Sequence, residues 1–272
     1  IYSIQAKSSH KCLGANITIQ SSALRIIVFS TIRNGNCENN NLNHSFLHSA
    51  SSIKTETKFI VIAILLISSQ CCLTILWQWS WSQAVVLREN LVYRSHTDNP
   101  YRKPIPSIQF LFCIENTTIG GDSTIVDGYK VASDLAKSDP EAFNTLSSVN
   151  VKFRFQDKDS ILENEGKIIE LDDMGELCHI RFSNRLDFVP HSDWTELEKY
   201  YSAKRIFHSM INSQDYMIKF RLDAGSLLIV DNYRVLHGRT SFNTSEGNRF
   251  LQGLYIDHDS IESKYKVLKQ NI

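Results

Sequence analysis

Beyond residue 89 the chain alternates short apolar runs with turn signals. Ser107–Ile114 (SIQFLFCI) predicts a largely buried strand, and Ser123–Val126 a shorter one after the Gly120-Gly121-Asp122 turn. Val151–Phe155, Lys167–Leu171 and Glu176–Phe182 alternate with the two-residue period of strands. Helical stretches lie between them. Asp127–Lys137 is one; Asp139 caps the next, with Pro140 at its first position, where a missing N–H costs little. Ser192 or Asp193 caps a longer helix whose apolar positions Trp194, Leu197, Tyr201, Phe207 and Ile211 fall mostly on one face. Tyr216–Leu222 and Ser226–Val230 flank Asp223-Ala224-Gly225 and predict a hairpin, and Asn248–Ile256 predicts the last strand. Many strands with a few helices between them predict a mainly β fold with flanking helices, a jelly roll.

The first 88 residues have a different texture. Residues 1–58 are rich in Ser, Asn and Ile, with a polar run at Asn34–Asn43, short apolar runs such as Leu24–Phe29 and weak periodicity. From Phe59 to Leu87 no residue is charged. The core of that stretch, Phe59–Trp77 (FIVIAILLISSQCCLTILW), approaches the ~20 residues that cross a bilayer as a helix. Lys54 and Lys58 stand at one end, and Trp77, Trp79 and Trp81 at the other match an interfacial belt. Three readings stand: a membrane anchor, buried strands, or translated non-coding sequence fused to a true domain. The first Asp is Asp98 and the first Pro is Pro100, where average usage would put roughly five prolines in the first 97 residues. The chain opens on Ile1, which leads us to expect a fragment or a processed product. We place a domain boundary near residue 89, with 1–88 as an atypical segment and 89–272 as the functional domain.

Charge adds little. Lys+Arg and Asp+Glu both total 29, so no basic field points to nucleic acid and no acidic excess points to disorder. Cys12, Cys37, Cys71, Cys72, Cys113 and Cys178 include no C-x-x-C pair, so neither a zinc site nor a disulfide framework is indicated.

The chemistry begins at His96-Thr97-Asp98. Side chains at i and i+2 of an extended segment share a face, so this imidazole and carboxylate reach one ion. A third ligand must come from elsewhere, and His237 follows the hydrophobic strand SLLIVDNYRVL. Two histidines and one carboxylate on one face leave positions open for a co-substrate and O2, as non-haem Fe(II) oxygenases require. H-x-D alone is weak evidence, since His191-Ser192-Asp193 repeats it at a helix start. Arg249, in the next predicted strand, adds a guanidinium fork able to hold the distal carboxylate of an iron-bound keto-acid.

The surrounding segments are more specific. HTDNPYRKPIP (His96–Pro106), GGDSTIVDG (Gly120–Gly128), IRFSNRLDFVP (Ile180–Pro190) and VDNYRVLHGRTSF (Val230–Phe242) appear in that order. Together they resemble the gamma-butyrobetaine hydroxylase and trimethyllysine hydroxylase branch of the taurine dioxygenase superfamily, from about residue 89 to the end. The resemblance implies a double-stranded β-helix that binds Fe(II), 2-oxoglutarate and O2 and hydroxylates a small molecule, releasing succinate and CO2. It implies His96, Asp98 and His237 as metal ligands, Arg249 on the 2-oxoglutarate distal carboxylate, and Ser123 as a hydroxyl beside it. For a trimethylammonium substrate it implies Tyr255 in an aromatic cage, Asn184 near the substrate carboxylate, and Asn90 and Tyr93 from an N-x-A-Y-like element. HTDNPYR and RFSNRLDFVP favour the butyrobetaine branch, hence carnitine synthesis. Relatives imply a cytoplasmic or mitochondrial enzyme and allow a homodimer. Another small-molecule oxygenase of the superfamily, or a truncated, non-catalytic, membrane-tethered relative, are the alternatives.

Three departures stand out. Only Arg94 and Ser95 separate Tyr93 from His96, where the family usually has a longer lead-in strand. The family's preceding segment, with its further cage aromatics, and its amino-terminal zinc module are not recognisable.

Overall fold

The computed structural model describes residues 2–5, 15–19, 26–31, 92–190, 193–243 and 245–270. Its strands are β1 Tyr2–Gln5, β2 Ala15–Ile19, β3 Ile26–Thr31, β4 Tyr93–His96, β5 Ile108–Asn116, β6 Ser123–Asp127, β7 Val151–Gln156 and β8 Ile161–Gly166, then β9 Ile169–Leu171, β10 Leu177–Ile180, β11 Met217–Phe220, β12 Ser226–Asp231, β13 Val235–Arg239 and β14 Arg249–Ile256. The helices are α1 Gly128–Ser138, α2 Pro140–Ser148, α3 Trp194–Ile211 and α4 His258–Gln270. A larger sheet runs β1-β2-β3-β12-β5-β14 and a smaller one β11-β6-β13-β4, while β7-β8 and β9-β10 form separate pairs.

The two main sheets face each other. Cys113 of β5, Leu228 and Val230 of β12 and Leu251 of β14 share one apolar cluster with Ile125 of β6 and Val235 of β13. Successive side chains of a strand point to opposite faces, so Val126 and Leu236 turn outward. There they join Val131 and Leu135 of α1 and Phe207 of α3 in a second cluster. That is why β6 is buried at every position: one face meets the opposing sheet and the other meets helices.

The helix starts follow their side chains. Asp127 accepts hydrogen bonds from the backbone N–H groups of Tyr129 and Lys130, and Asp139 from that of Ala142, with Pro140 opening α2. Asp193 caps α3 through the N–H of Glu196.

Three expectations need correction. Met217–Phe220 and Ser226–Asp231 do not form a hairpin: β11 pairs with β6, and β12 with β3 and β5 in the other sheet. The Asp223–Gly225 turn instead carries the chain from one sheet to the other, with Gly225 at φ 83° donating to the Cys113 carbonyl. Alternation records which face is buried, but not which strand lies alongside. The segment SLLIVDNYRVL is not one strand; it breaks where Arg234 N–H bonds back to the Asp231 carbonyl (3.1 Å), and β13 then begins in the smaller sheet. Trp194 is 81% exposed, because the buried stripe of α3 is Tyr200, Ala203, Phe207 and Ile211, and the first helical residue lies off it. Strand β8 and helix α4 were not anticipated.

Strand β3 lies antiparallel to β12, from Ile26 opposite Val230 to Ser30 opposite Ser226. The Phe59–Trp77 run, with Trp79, Trp81, Asn90 and Ser192, falls outside the described residues. Among the described residues no helix is long and apolar enough to cross a membrane.

Candidate metal centre

Strand β4 ends on His96, and β13 places His237 directly opposite it. Two residues beyond His96, Asp98 turns back to the same point. The donor atoms of His96, Asp98 and His237 lie within 4.8 Å of one another. His96 Nε2 is 3.4 Å from Asp98 Oδ1, and His237 Nε2 is 3.5 Å from Asp98 Oδ2. The two imidazole centroids are 4.6 Å apart, tilted by 44°.

The donor chemistry fits a divalent iron. His96 Nδ1 lies 2.9 Å from the Arg94 carbonyl, and an N–H donated there leaves Nε2 as the free lone pair. Burial lowers the His237 pKa to about 4, against the Asp98 charge and helped by His96, so this ring is neutral near pH 7. Burial alone would raise the Asp98 carboxyl. His237 and His96, with a hydrogen bond from Tyr255, outweigh it and hold the group well below the usual carboxylate range. Two neutral nitrogens and one carboxylate are the facial donor set of non-haem Fe(II) sites.

Arg249 opens β14 and is 7% exposed. Its Nε has no hydrogen-bond partner, and among the described residues it has no carboxylate partner. Burial, and then the neighbouring Arg239, lower its pKa to about 10, so it stays charged at neutral pH. A buried cation without a counter-charge is costly, and a carboxylate ligand removes that cost. The Gly120-Gly121 turn lies against it: a Cβ on Gly121 (φ +70°) would come within 3.3 Å of Arg249 Cδ.

The other expected residues scatter around this centre. Ser123 is buried at the start of β6, opposite Arg239. Tyr255 donates its hydroxyl to Asp98 Oδ2 at 2.6 Å. The Tyr93 ring lies 6.3 Å from the His96 ring. Asn184 is exposed in the loop after β10.

Residues 84–255 match the family described as Taurine catabolism dioxygenase TauD, TfdA family. The chain belongs to the TauD/TfdA family. It is 37% identical over 182 residues to the gamma-butyrobetaine dioxygenase of Homo sapiens, covering 65% of this chain and 47% of that protein. To the gamma-butyrobetaine dioxygenase of Pseudomonas sp. (strain AK-1) it is 38% identical, covering 64% and 46%. To the trimethyllysine dioxygenase of Meyerozyma guilliermondii it is 30% identical, covering 66% and 45%. The chain thus spans about half the length of the relatives it matches. Among solved structures, an asparagine oxygenase in complex with Fe(II), 2S,3S-3-hydroxyasparagine and succinate aligns with a TM-score of 0.49 at 21% identity, over 61% of this chain and 50% of that one. Iron with 2-oxoglutarate is the pair this dioxygenase family implies, and the residues of this chain fit both.

Several residues that hold this TauD/TfdA site together carry no sequence signal of their own. Asn232, fully buried in the β12–β13 turn, accepts from Asp98 N–H at 2.8 Å and donates to the Asp98 and Pro106 carbonyls at 3.0 and 2.9 Å. Its own N–H bonds the Ser107 carbonyl. Gln109, on β5, donates to Asp98 Oδ2. Thr97 and Phe182 exchange two hydrogen bonds, Thr97 N–H to the Phe182 carbonyl and Phe182 N–H to Thr97 Oγ1. An amide inside VDNYRVL reads as a turn residue until the turn is seen to lie under Asp98.

Proposed function

We propose that residues 89–272 form the catalytic domain of an Fe(II)- and 2-oxoglutarate-dependent hydroxylase of a small trimethylammonium carboxylate, most specifically gamma-butyrobetaine, giving carnitine. One observation carries this reading: a half-buried His-Asp-His donor group is accompanied by a buried arginine, Arg249, that has no carboxylate partner among the described residues. In it, His96, Asp98 and His237 hold the metal, Arg249 pairs with the distal carboxylate of 2-oxoglutarate, and Ser123 adds a hydroxyl beside it. Tyr255, Asn184, Asn90 and Tyr93 lie on the substrate side. The bound iron supplies activation of O2, coupled to decarboxylation of the keto-acid.

The chain's own residues prepare that chemistry. The Arg94 carbonyl fixes the His96 tautomer, and Asn232 fixes the backbone from which Asp98 projects. Tyr255 and Gln109 orient the Asp98 carboxylate. The two facing sheets support a double-stranded β-helix, with β3 docked on the larger sheet. The higher identity to butyrobetaine than to trimethyllysine dioxygenases supports the substrate branch. The enzyme works in the cytoplasm or in mitochondria.

Anaerobic titration with Fe(II) and 2-oxoglutarate tests the centre. A weak visible charge-transfer band is expected, and His237→Ala abolishes it; a band that survives the substitution disproves the ligand assignment. Succinate release is expected to rise with gamma-butyrobetaine and not with trimethyllysine or taurine. Equal stimulation by taurine overturns the substrate.

A further inference from the structure

A buried guanidinium that receives a carboxylate has to be aimed, and hydrogen bonds do not aim Arg249. Its Nε has no partner, and among the described residues no carboxylate reaches it. Asn116, opposite it in the β5–β14 register, is turned to other groups. The Asn116 amide donates to the Leu222 carbonyl at 2.8 Å and accepts from Thr118 Oγ1 at 3.0 Å. A long side chain left loose must be ordered by its ligand, which weakens binding. Packing has to do the ordering here.

The packing comes from Phe242, which is 6% exposed. Arg249 Cζ lies 6.0 Å from its ring centroid, at the limit of a cation–π contact, and Arg239 Cζ lies 4.5 Å from the same centroid. The stem of Arg249 and the root of Phe242 meet at Gly121: a Cβ there would come within 3.3 Å of both Arg249 Cδ and Phe242 Cβ.

Phe242 is itself fixed to the strands of the metal centre. Beyond β13, Thr240 N–H donates to the Asp122 carbonyl and Asp122 N–H to Thr240 Oγ1, both at 2.9 Å. Gly121 N–H donates to the Ser241 carbonyl at 3.0 Å, and an isolated bridge pairs Gly120 with Phe242. Gly120 (φ +79°) permits this approach, since a Cβ on it would come within 2.6 Å of the Ser241 carbonyl. The ring therefore stands on the continuation of the strand that carries His237. One length of backbone sets both a metal ligand and the ring beside Arg249.

We propose that Phe242 is a positioning residue for the co-substrate: its ring, seated on the Gly120-Gly121 turn, holds the Arg249 guanidinium ready for the distal carboxylate of 2-oxoglutarate. This rests on the hydroxylase reading above and deepens it. The ring touches no reacting atom. Its effect is confined to the end of the keto-acid that carries the second charge.

The test uses the full chain with Fe(II) under anaerobic conditions. It is titrated with 2-oxoglutarate or with 2-oxopentanoate, which offers the same keto-acid chelate but has no distal carboxylate. The charge-transfer band reads both. Phe242→Leu keeps apolar bulk and removes the π face, whereas Phe242→Tyr keeps the ring. A cation–π contact and one pre-ordered side chain together are worth about 3- to 10-fold in affinity. Phe242→Leu is expected to weaken 2-oxoglutarate by that factor and to leave 2-oxopentanoate unchanged, while Phe242→Tyr binds both as the wild type does. Unchanged 2-oxoglutarate affinity in Phe242→Leu overturns the inference. So does an equal loss for both keto-acids, or a band lost with both, because an effect blind to the distal carboxylate is structural. A Phe242→Tyr chain as weak as Phe242→Leu overturns the role of the ring. In each of these cases a wild type that forms the band leaves the hydroxylase standing. A wild type that does not distinguish the two keto-acids removes the Arg249 assignment, and one without the band overturns the hydroxylase reading; this inference falls with either.

Discussion

Asn232 shows how much of the centre depends on a residue that touches no metal. Its fully buried side chain satisfies Asp98 N–H, Asp98 O and Pro106 O. Replacing it with alanine strands all three groups, and each buried unsatisfied polar group costs roughly 1–3 kcal/mol. Asn232→Ala is therefore expected to lose about 3 kcal/mol or more of stability, measured by urea denaturation, and to weaken Fe(II) binding in the folded fraction. Full stability in the variant would show that the Asp98 loop holds itself. His237 makes the complementary point: burial keeps it neutral, so no proton competes for the metal near pH 7.

At the scale of elements, the pairing of β4 with β13 sets the distance between the two histidines. His237 faces His96 and Arg239 faces Tyr93, with a register shift between them. Gly238 sits inside that irregularity. A Cβ there would come within 2.4 Å of the Tyr93 carbonyl and 2.8 Å of Thr124 Oγ1. Backbone cannot give way as a side chain can, so Gly238→Ala must push the strands apart. Overpacking of this kind costs about 1–3 kcal/mol. We expect the charge-transfer band to be lost while most helical circular dichroism persists, because α1 to α3 pack on the opposite face of the smaller sheet. An unchanged band would mean that β4 moves without carrying His96. The short approach from Tyr93 to His96 is itself strand β4, paired with β13 at both of its ends.

For the whole molecule, acid stability rests partly on a cluster away from the metal. Glu170 of β9 is held down to about 2 from 4.5, first by its hydrogen bond with His179 and, against burial, by Arg181. Arg181 Nη2 lies 2.7 Å from Glu170 Oε2. A carboxyl whose folded pKa is depressed contributes stability that is complete above its unfolded value. That contribution is lost as pH falls from about 4.5 through about 2. Glu170→Gln is expected to flatten this part of the stability–pH curve relative to wild type, measured by chemical denaturation; parallel curves would show that the cluster is not coupled to folding.

The sequence by itself determined the local grammar: where helices are capped by Asp127, Asp139 and Asp193, which strand faces are apolar, and which three residue types are able to share a metal. These properties depend on neighbours a few positions away, or on side-chain chemistry alone. Only the tertiary structure decided that β11 and β12 part company at Gly225, that Trp194 stays in water, and that Asn232 lies beneath Asp98. Each of those facts depends on which distant segment lies alongside, and a strand's alternation is the same whichever partner it finds.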